Sequence, residues 1–133
     1  LQADARLGDA IAALPGRRFI MTNGSRRHAE NVAARLGITD HFDGVFDISD
    51  ADFIPKPAID SYRRLCDLHD IDPARAAMVE DIPRNLEPAA ELGMTTVWVR
   101  TDTDWAKGIT ETGHIDHVTE DLSAWLRQAT NRD

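Results

Sequence analysis

The sequence predicts an α/β fold in which a parallel sheet is covered by helices on both faces. Apolar runs of strand length alternate with segments of helical periodicity along the chain. The runs, such as FIM, AAMV and TTVWV, are continuously apolar rather than alternating, as strands buried on both faces must be. The 133 residues suffice for one domain around one core, and no repeat, linker or low-complexity tract interrupts them.

Each element follows from its own residues. Residues 4–14, DARLGDAIAAL, place Leu7, Ile11 and Leu14 on one helical face, and Pro15-Gly16 ends that helix. RRFIM, 17–21, is a short buried strand. A helix over 26–36 carries Val32, Ala33 and Leu36 on one face and stops at Gly37. GVFDI, 44–48, is strand-like. DADFIPKP is a loop, because Pro55 and Pro57 disfavour helix at the residues before them. A third helix spans 58–69, and AAMVE, 76–80, is the third strand. Residues 84–92 form a helix closed by Gly93. TTVWVR, 95–100, is a strand rich in β-branched residues. Residues 101–114 read as a polar, glycine-containing loop, HIDHV as a short last strand and 119–129 as a last helix.

The formal net charge of −8 argues against a nucleic-acid partner, since a phosphate backbone requires a basic face. It leaves room for a single phosphate in a locally positive pocket. No apolar run approaches the ~20 residues of a membrane span. The single cysteine, Cys66, excludes an intrachain disulfide and suits a reducing cytoplasm. LQADARLGDA has neither the basic-then-apolar pattern of a secretion signal nor an initiator Met. The expectation is a cytoplasmic protein of which these residues are a part.

In open parallel sheets, ligands bind outside the carboxyl ends of the strands. Thr22, Asn23, Gly24 and Ser25 follow the first strand. The second leads to Asp47 and a loop reaching Lys56. The third ends in Glu80, Asp81, Ile82, Pro83, Arg84 and Asn85, and the fourth in Arg100 and an acidic loop. Hydroxyl and amide donors with one lysine suit a phosphoryl group. Adjacent carboxylates suit Mg²⁺, which binds oxygen and keeps waters for substrate phosphate to displace. Each piece has a plainer reading. Ser25 or Asn23 caps the next helix, Asn23-Gly24 is a common turn pair, and Lys56 is a solvated surface group. Asp81 with Pro83 is a helix start. His28 is a helix-surface residue; Trp98, Trp105 and Trp125 are packing groups; Cys66 is a small core residue. The joint occurrence of these pieces, in order and at strand ends, favours a site.

These residues resemble the haloacid-dehalogenase-like hydrolases, a superfamily composed mostly of Mg²⁺-dependent phosphatases. FIMTNGS, 19–25, is similar to the family's second motif, Lys56 in IPKP to the third, and VEDIPRN, 79–85, to the acidic fourth. The wider run LPGRRFIMTNGSRRHAENVAARLGITDHFDGVFDI, with KP, EDIPRNL and LGMTTVWVR, resembles the pyrimidine 5′-nucleotidase-like branch. The resemblance implies a three-layer, Rossmann-like core. Thr22 and Asn23 would donate to a phosphoryl oxygen, with Gly24 in the same phosphate-binding turn, and Lys56 would neutralise charge on the phosphoryl group and on the attacking carboxylate. Asp81 would ligate Mg²⁺, with Glu80 beside it directly or through water, and Asn85 would orient Asp81 or the metal's waters. The implied substrate is a small phosphorylated metabolite such as a nucleoside monophosphate.

One departure is large. The family's first motif, DxDx[TV] after an apolar strand, supplies the nucleophile and the general acid/base, and it does not occur before Thr22. DARLGD and TDTDW are the nearest strings, and neither follows a strand in the right place. Residues 1–133 are therefore expected to be a partial core domain, without its central nucleophile strand or helical cap and inactive alone. The nucleophile would come from upstream of residue 1. The expected strand order is 95–100, 76–80, a gap, 17–21, 44–48. A non-catalytic binding or scaffold protein remains an alternative, as do a phosphomutase and a dehalogenase.

Overall fold

The computed structural model describes residues 5–100 and 113–130. In chain order its elements are α1 (Ala5–Ala12), β1 (Phe19–Met21), α2 (Arg26–Leu36), β2 (Gly44–Phe46), α3 (Ile59–His69), β3 (Ala77–Glu80), α4 (Glu87–Leu92), β4 (Thr95–Val99), β5 (His117–Thr119) and α5 (Leu122–Thr130). Single 3₁₀ turns lie at Thr39–His41, Pro73–Arg75 and Pro83–Leu86. The described residues up to Phe53 and from Asp121 onward make one compact unit; Ile54 to Glu120 make another.

In the first unit, β1 and β2 pair in parallel, with Phe19 opposite Gly44 and Met21 opposite Phe46. Its core joins three helices: Ala10 and Ile11 of α1, Ala33 of α2, the following Ile38, and Leu126 of α5. Leu7, Ile20, Phe42 and Trp125 pack against that cluster. The helix α2 starts at Ser25, whose hydroxyl accepts the His28 N–H at 3.1 Å, one of the donors a helix start leaves unpaired. It ends at Gly37, where φ of 74° lets the N–H turn back to the carbonyls of Ala33 and Ala34. A side chain there would be strained, which is why glycine stops the helix.

In the second unit, β3, β4 and β5 form a parallel sheet in that spatial order. Glu80 lies opposite Trp98, and Val97 opposite His117. The helix α3 buries Ser61, Tyr62, Leu65 and Cys66; burial pushes the Cys66 thiol up from its ordinary value, as befits an inert core residue. Fully buried Thr96 fixes the return of the chain into β5. Its hydroxyl donates to the His114 carbonyl at 2.7 Å and accepts the Asp116 N–H at 2.9 Å, while its own N–H donates to the Asp116 carboxylate at 2.9 Å.

The α/β class, the parallel pairing and the predicted neighbours (first strand beside second, third beside fourth) all stand. Among the described residues, β1 pairs with β2 within the first unit and β3 with β4 within the second. Most boundaries differ from the sequence reading by a few residues, and three of the differences have a visible cause. The helix expected over 84–92 opens as the 3₁₀ turn Pro83–Leu86 and becomes α-helical only at Glu87, because Pro88 has no N–H to give to an earlier carbonyl. The strand expected over 44–48 stops at Phe46, since the Asp47 N–H turns to the Asp50 carboxylate at 2.9 Å. The last helix starts at Leu122, where the Asp121 carboxylate accepts the Ala124 N–H at 3.1 Å. Trp105 and most of the expected polar loop lie outside the described residues. No helix among the described residues is long and apolar enough to cross a membrane.

Leu126 is 5% exposed and joins α5 to the first unit's core. Leu126→Ala should cost about 2–5 kcal/mol of stability, transfer and cavity terms together. Urea unfolding should show a lower midpoint with little change in slope; an unshifted midpoint would mean that α5 does not belong to that core.

Candidate functional site

The polar turn after β1 is stitched to the end of β2. The Thr22 N–H donates to the Phe46 carbonyl at 3.0 Å, and the Ile48 N–H to the Gly24 carbonyl at 3.1 Å. The Thr22 hydroxyl oxygen accepts the Gly24 N–H at 3.0 Å, which leaves its single O–H proton as the group it can offer to an anion. Asn23 is exposed beside it. Ser25 takes the plainer of its two readings, since its oxygen is used as the helix cap. His28 is exposed on α2, as expected.

Asp47, at the carboxyl end of β2, is only 7% exposed. Its carboxylate accepts the Ser49 hydroxyl at 2.7 Å, the Asp50 N–H at 3.0 Å and, at the first residue of α2, the Arg26 N–H at 2.9 Å. These bonds, the Ser49 hydroxyl foremost, hold the Asp47 carboxyl well below the usual carboxylate range against the opposing effect of burial. Arg26 donates to the Val45 carbonyl at 2.8 Å and lies 3.5 Å from the Asp50 carboxylate. Asp47 therefore ties the start of α2 to the end of β2.

In the second unit, Lys56 Nζ lies 2.8 Å from Glu80 Oε2, with the two side chains 12% and 9% exposed. The reading of Lys56 as a solvated surface group thus falls away. The other Glu80 oxygen accepts the Ile82 N–H at 3.3 Å. Burial pushes the Glu80 carboxyl up from its ordinary value; a hydrogen bond with the Asp81 side chain acts in the same direction, and Lys56 opposes both. Asp81 itself is exposed. Asn85 is 5% exposed within the turn that follows, where the Tyr62 hydroxyl donates to its backbone carbonyl. Trp98 Nε1 donates to the Asp81 carbonyl at 3.1 Å, and His114 Nε2 to the Pro83 carbonyl at 2.8 Å.

This donor set suits Mg²⁺ in kind. Asp81 offers an exposed hard oxygen, and Glu80 is in side-chain hydrogen-bond contact with it. Among the described residues no cluster of three or more His, Cys, Asp or Glu could hold a metal. A cation at Asp81 would take its remaining ligands from water and substrate, as Mg²⁺ commonly does. Thr22, Asn23 and Gly24 belong to the first unit, and Lys56, Glu80, Asp81 and Asn85 to the second. Sequence reasoning missed Tyr62 and His114 altogether and took Trp98 as packing alone. Only the indole N–H, which needs a partner when buried, signalled that Trp98 had a polar task.

The haloacid dehalogenase-like hydrolase family model matches residues 4–93, most of the chain. This chain belongs to that family. No curated protein matches it. Among solved structures it is similar to the L-2-haloacid dehalogenase of Xanthobacter autotrophicus with chloropropionic acid covalently bound, at 22% identity and a TM-score of 0.75, covering 95% of this chain and 60% of that one. A dehalogenase with an intermediate complex gives 19% identity and a TM-score of 0.81, with 99% and 58% covered. An HAD phosphatase from Thermococcus onnurineus gives 22% identity and a TM-score of 0.73, with 92% and 55% covered. At these identities the likeness concerns the fold, and the chain spans less than two thirds of the length of each structure.

The depressed Asp47 carboxyl predicts a pH dependence. A group whose folded value lies below its unfolded value of about 3.9 adds stability above that value and loses it as pH falls toward the folded one. Asp47→Asn should therefore be less stable than the parent by on the order of 1–3 kcal/mol at pH 7, the worth of hydrogen bonds to a charged acceptor. The difference should shrink below about pH 4. Urea titrations at pH 7, 5 and 3 measure it; a difference that grows on acidification would reverse the assignment.

Proposed function

We propose that the intact protein is a Mg²⁺-dependent phosphomonoester hydrolase, with a nucleoside 5′-monophosphate as the preferred substrate class. The observation that carries this reading is the part-buried Lys56–Glu80 pair beside the exposed Asp81 carboxylate. A positive group and a cation-accepting oxygen side by side at the end of one strand suit a phosphoryl group, whose transition-state charge lies on its oxygens. Thr22, whose O–H remains to donate, and Asn23 supply neutral donors of the kind such oxygens accept.

The chemistry is two-step. A carboxylate attacks phosphorus and the ester oxygen leaves with a proton; water then cleaves the aspartyl-phosphate and phosphate departs. The attacking carboxylate is supplied from outside these 133 residues, which do not place a DxDx[TV] string after a strand ahead of Thr22. Mg²⁺, when bound, supplies charge neutralisation at the phosphoryl oxygens. Asp81 would hold the cation, with Glu80 beside it and Asn85 in the turn that follows them. Glu80 holds the Lys56 ammonium in place, and that ammonium offsets charge as the phosphoryl group transfers.

Phosphate release by the purified intact protein from nucleoside monophosphates, with Mg²⁺ or with EDTA, tests this. EDTA should abolish turnover. Lys56→Ala should lower the rate about 10²-fold or more, by analogy with removing one charge-stabilising donor. Asp81→Asn should raise the Mg²⁺ concentration required, because a charged ligand becomes neutral. Residues 1–133 alone should not turn over. EDTA-resistant phosphate release would overturn the Mg²⁺ dependence, and chloride release from 2-chloropropionate in place of phosphate release would replace this reading with a dehalogenase.

A further inference from the structure

The turn after β3 has an arrangement that none of the motif residues explains. Its backbone is irregular, and Pro83, Asn85 and Leu86 are buried while Asp81, Ile82 and Arg84 are exposed. Irregular buried backbone must find hydrogen-bond partners outside the regular ladders. Here the alternate carbonyls of Asp81, Pro83 and Asn85 each accept from a side chain of another segment: Trp98 Nε1 of β4 at 3.1 Å, His114 Nε2 ahead of β5 at 2.8 Å, and the Tyr62 hydroxyl of α3. A carbonyl can only accept, so the His114 proton toward Pro83 sits on Nε2. The three donors lie 17, 31 and 23 residues from their acceptors. Each is itself held. Trp98 is 4% exposed, with the Arg100 guanidinium 5.4 Å from its ring centre. Tyr62 is fully buried, and burial keeps its phenol protonated. The carbonyl of His114 receives the Thr96 hydroxyl.

We infer that Tyr62, Trp98 and His114 are positioning residues: a three-point clamp on alternate carbonyls that sets the path of the 81–85 turn and so the place of the Asp81 carboxylate. A single donor would satisfy one carbonyl and leave the turn free to pivot. Three donors from three segments leave it one path. Asp81 is exposed and in side-chain hydrogen-bond contact with Glu80, so its place depends on the path of the backbone that carries both. The functional half of this inference rests on the reading of Asp81 as a Mg²⁺ ligand; the clamp on the turn does not.

The test uses the full-length protein and two readouts. Tyr62→Phe removes one hydroxyl and keeps the ring, Trp98→Phe removes the indole N–H, and His114→Leu removes the imidazole donor. His114→Gln retains an N–H and serves as the conservative rescue. In metal-free protein, hydrogen exchange at the Ile82 and Asn85 amides should quicken about five- to tenfold in the three donor-less variants, the loss of one hydrogen bond, while amides of the β3–β4 ladder stay unchanged. Titration calorimetry with Mg²⁺ alone should show affinity weakened by a similar factor in those variants and near-parental affinity in His114→Gln. Ladder amides that quicken as much as the turn would mean general destabilisation and would overturn the clamp. Local quickening with Mg²⁺ affinity unchanged would overturn the positioning role alone. A parent that binds no Mg²⁺ would overturn the reading of Asp81, and the positioning role with it. Tyr62→Phe, the mildest change, decides the matter if a larger one prevents folding.

Discussion

Lys56 and Glu80 are both largely withdrawn from water, and each offsets the cost of the other's charge. A carboxylate or ammonium taken out of water alone costs several kcal/mol, and removing one partner of such a pair leaves that cost uncompensated. With 2.8 Å between Nζ and Oε2 and little exposure on either side, the pair joins the loop that enters α3 to the last residue of β3. Much of the second unit's polar architecture lies along that join. The remaining Glu80 oxygen holds the Ile82 N–H, which begins the turn, and the strand continues in register with β4 so that Trp98 stands opposite Glu80. Such a pair adds little net stability, because the cost of withdrawing its charges from water offsets most of their attraction.

The first unit solves a related problem with neutral and anionic acceptors. The start of α2 presents N–H groups with no partners inside the helix. Ser25 takes that of His28, and Asp47, reaching from the end of β2, takes that of Arg26. The Asp47 carboxylate is thereby held in place and held ionised, and the polar turn after β1 is drawn against β2 by the Thr22 and Ile48 amides. Thr22 emerges with its oxygen accepting from Gly24 and its proton still to give. In both units the polar residues at strand ends are thus positioned by local turn and cap hydrogen bonds together with a bond to a distant segment, Asp47 to Arg26 in the first and Glu80 to Lys56 in the second.

The family membership and these arrangements belong to different levels of inference. Membership follows from a match over residues 4–93 and agrees with the motifs read from the sequence. It brings a hydrolase family and an α/β core. The dehalogenases and the phosphatase that share this fold do so at 19–22% identity, a level at which the same core serves different chemistries. The proposal of phosphoryl transfer rests on the chemistry at the end of β3: a lysine held by one carboxylate with a second carboxylate exposed beside it.

The sequence by itself determined the class of the fold, the order of its elements and the positions where polar residues interrupt apolar runs. Those are local properties: continuous apolar strands, the 3.6-residue period of α2, and the stops at Gly37 and Gly93 are all legible within a few residues. Thr22, Lys56 and Asp81 stood out for the same reason, as polar groups placed at or just beyond strand ends. Only the tertiary structure decided what each of them touches. Lys56 and Glu80 are 24 residues apart, and no periodicity relates them. Ser25, a local cap legible in the sequence, needed no such partner, but Asp47 became the anchor of α2 because β2 ends beside the helix start. Tyr62, Trp98 and His114 carried no motif, and their roles arise where three distant segments meet the backbone of one turn. Local pattern fixes which residues are buried or turned, but the partner of a buried polar group is set by the path of the chain, which brings together residues that the sequence keeps far apart.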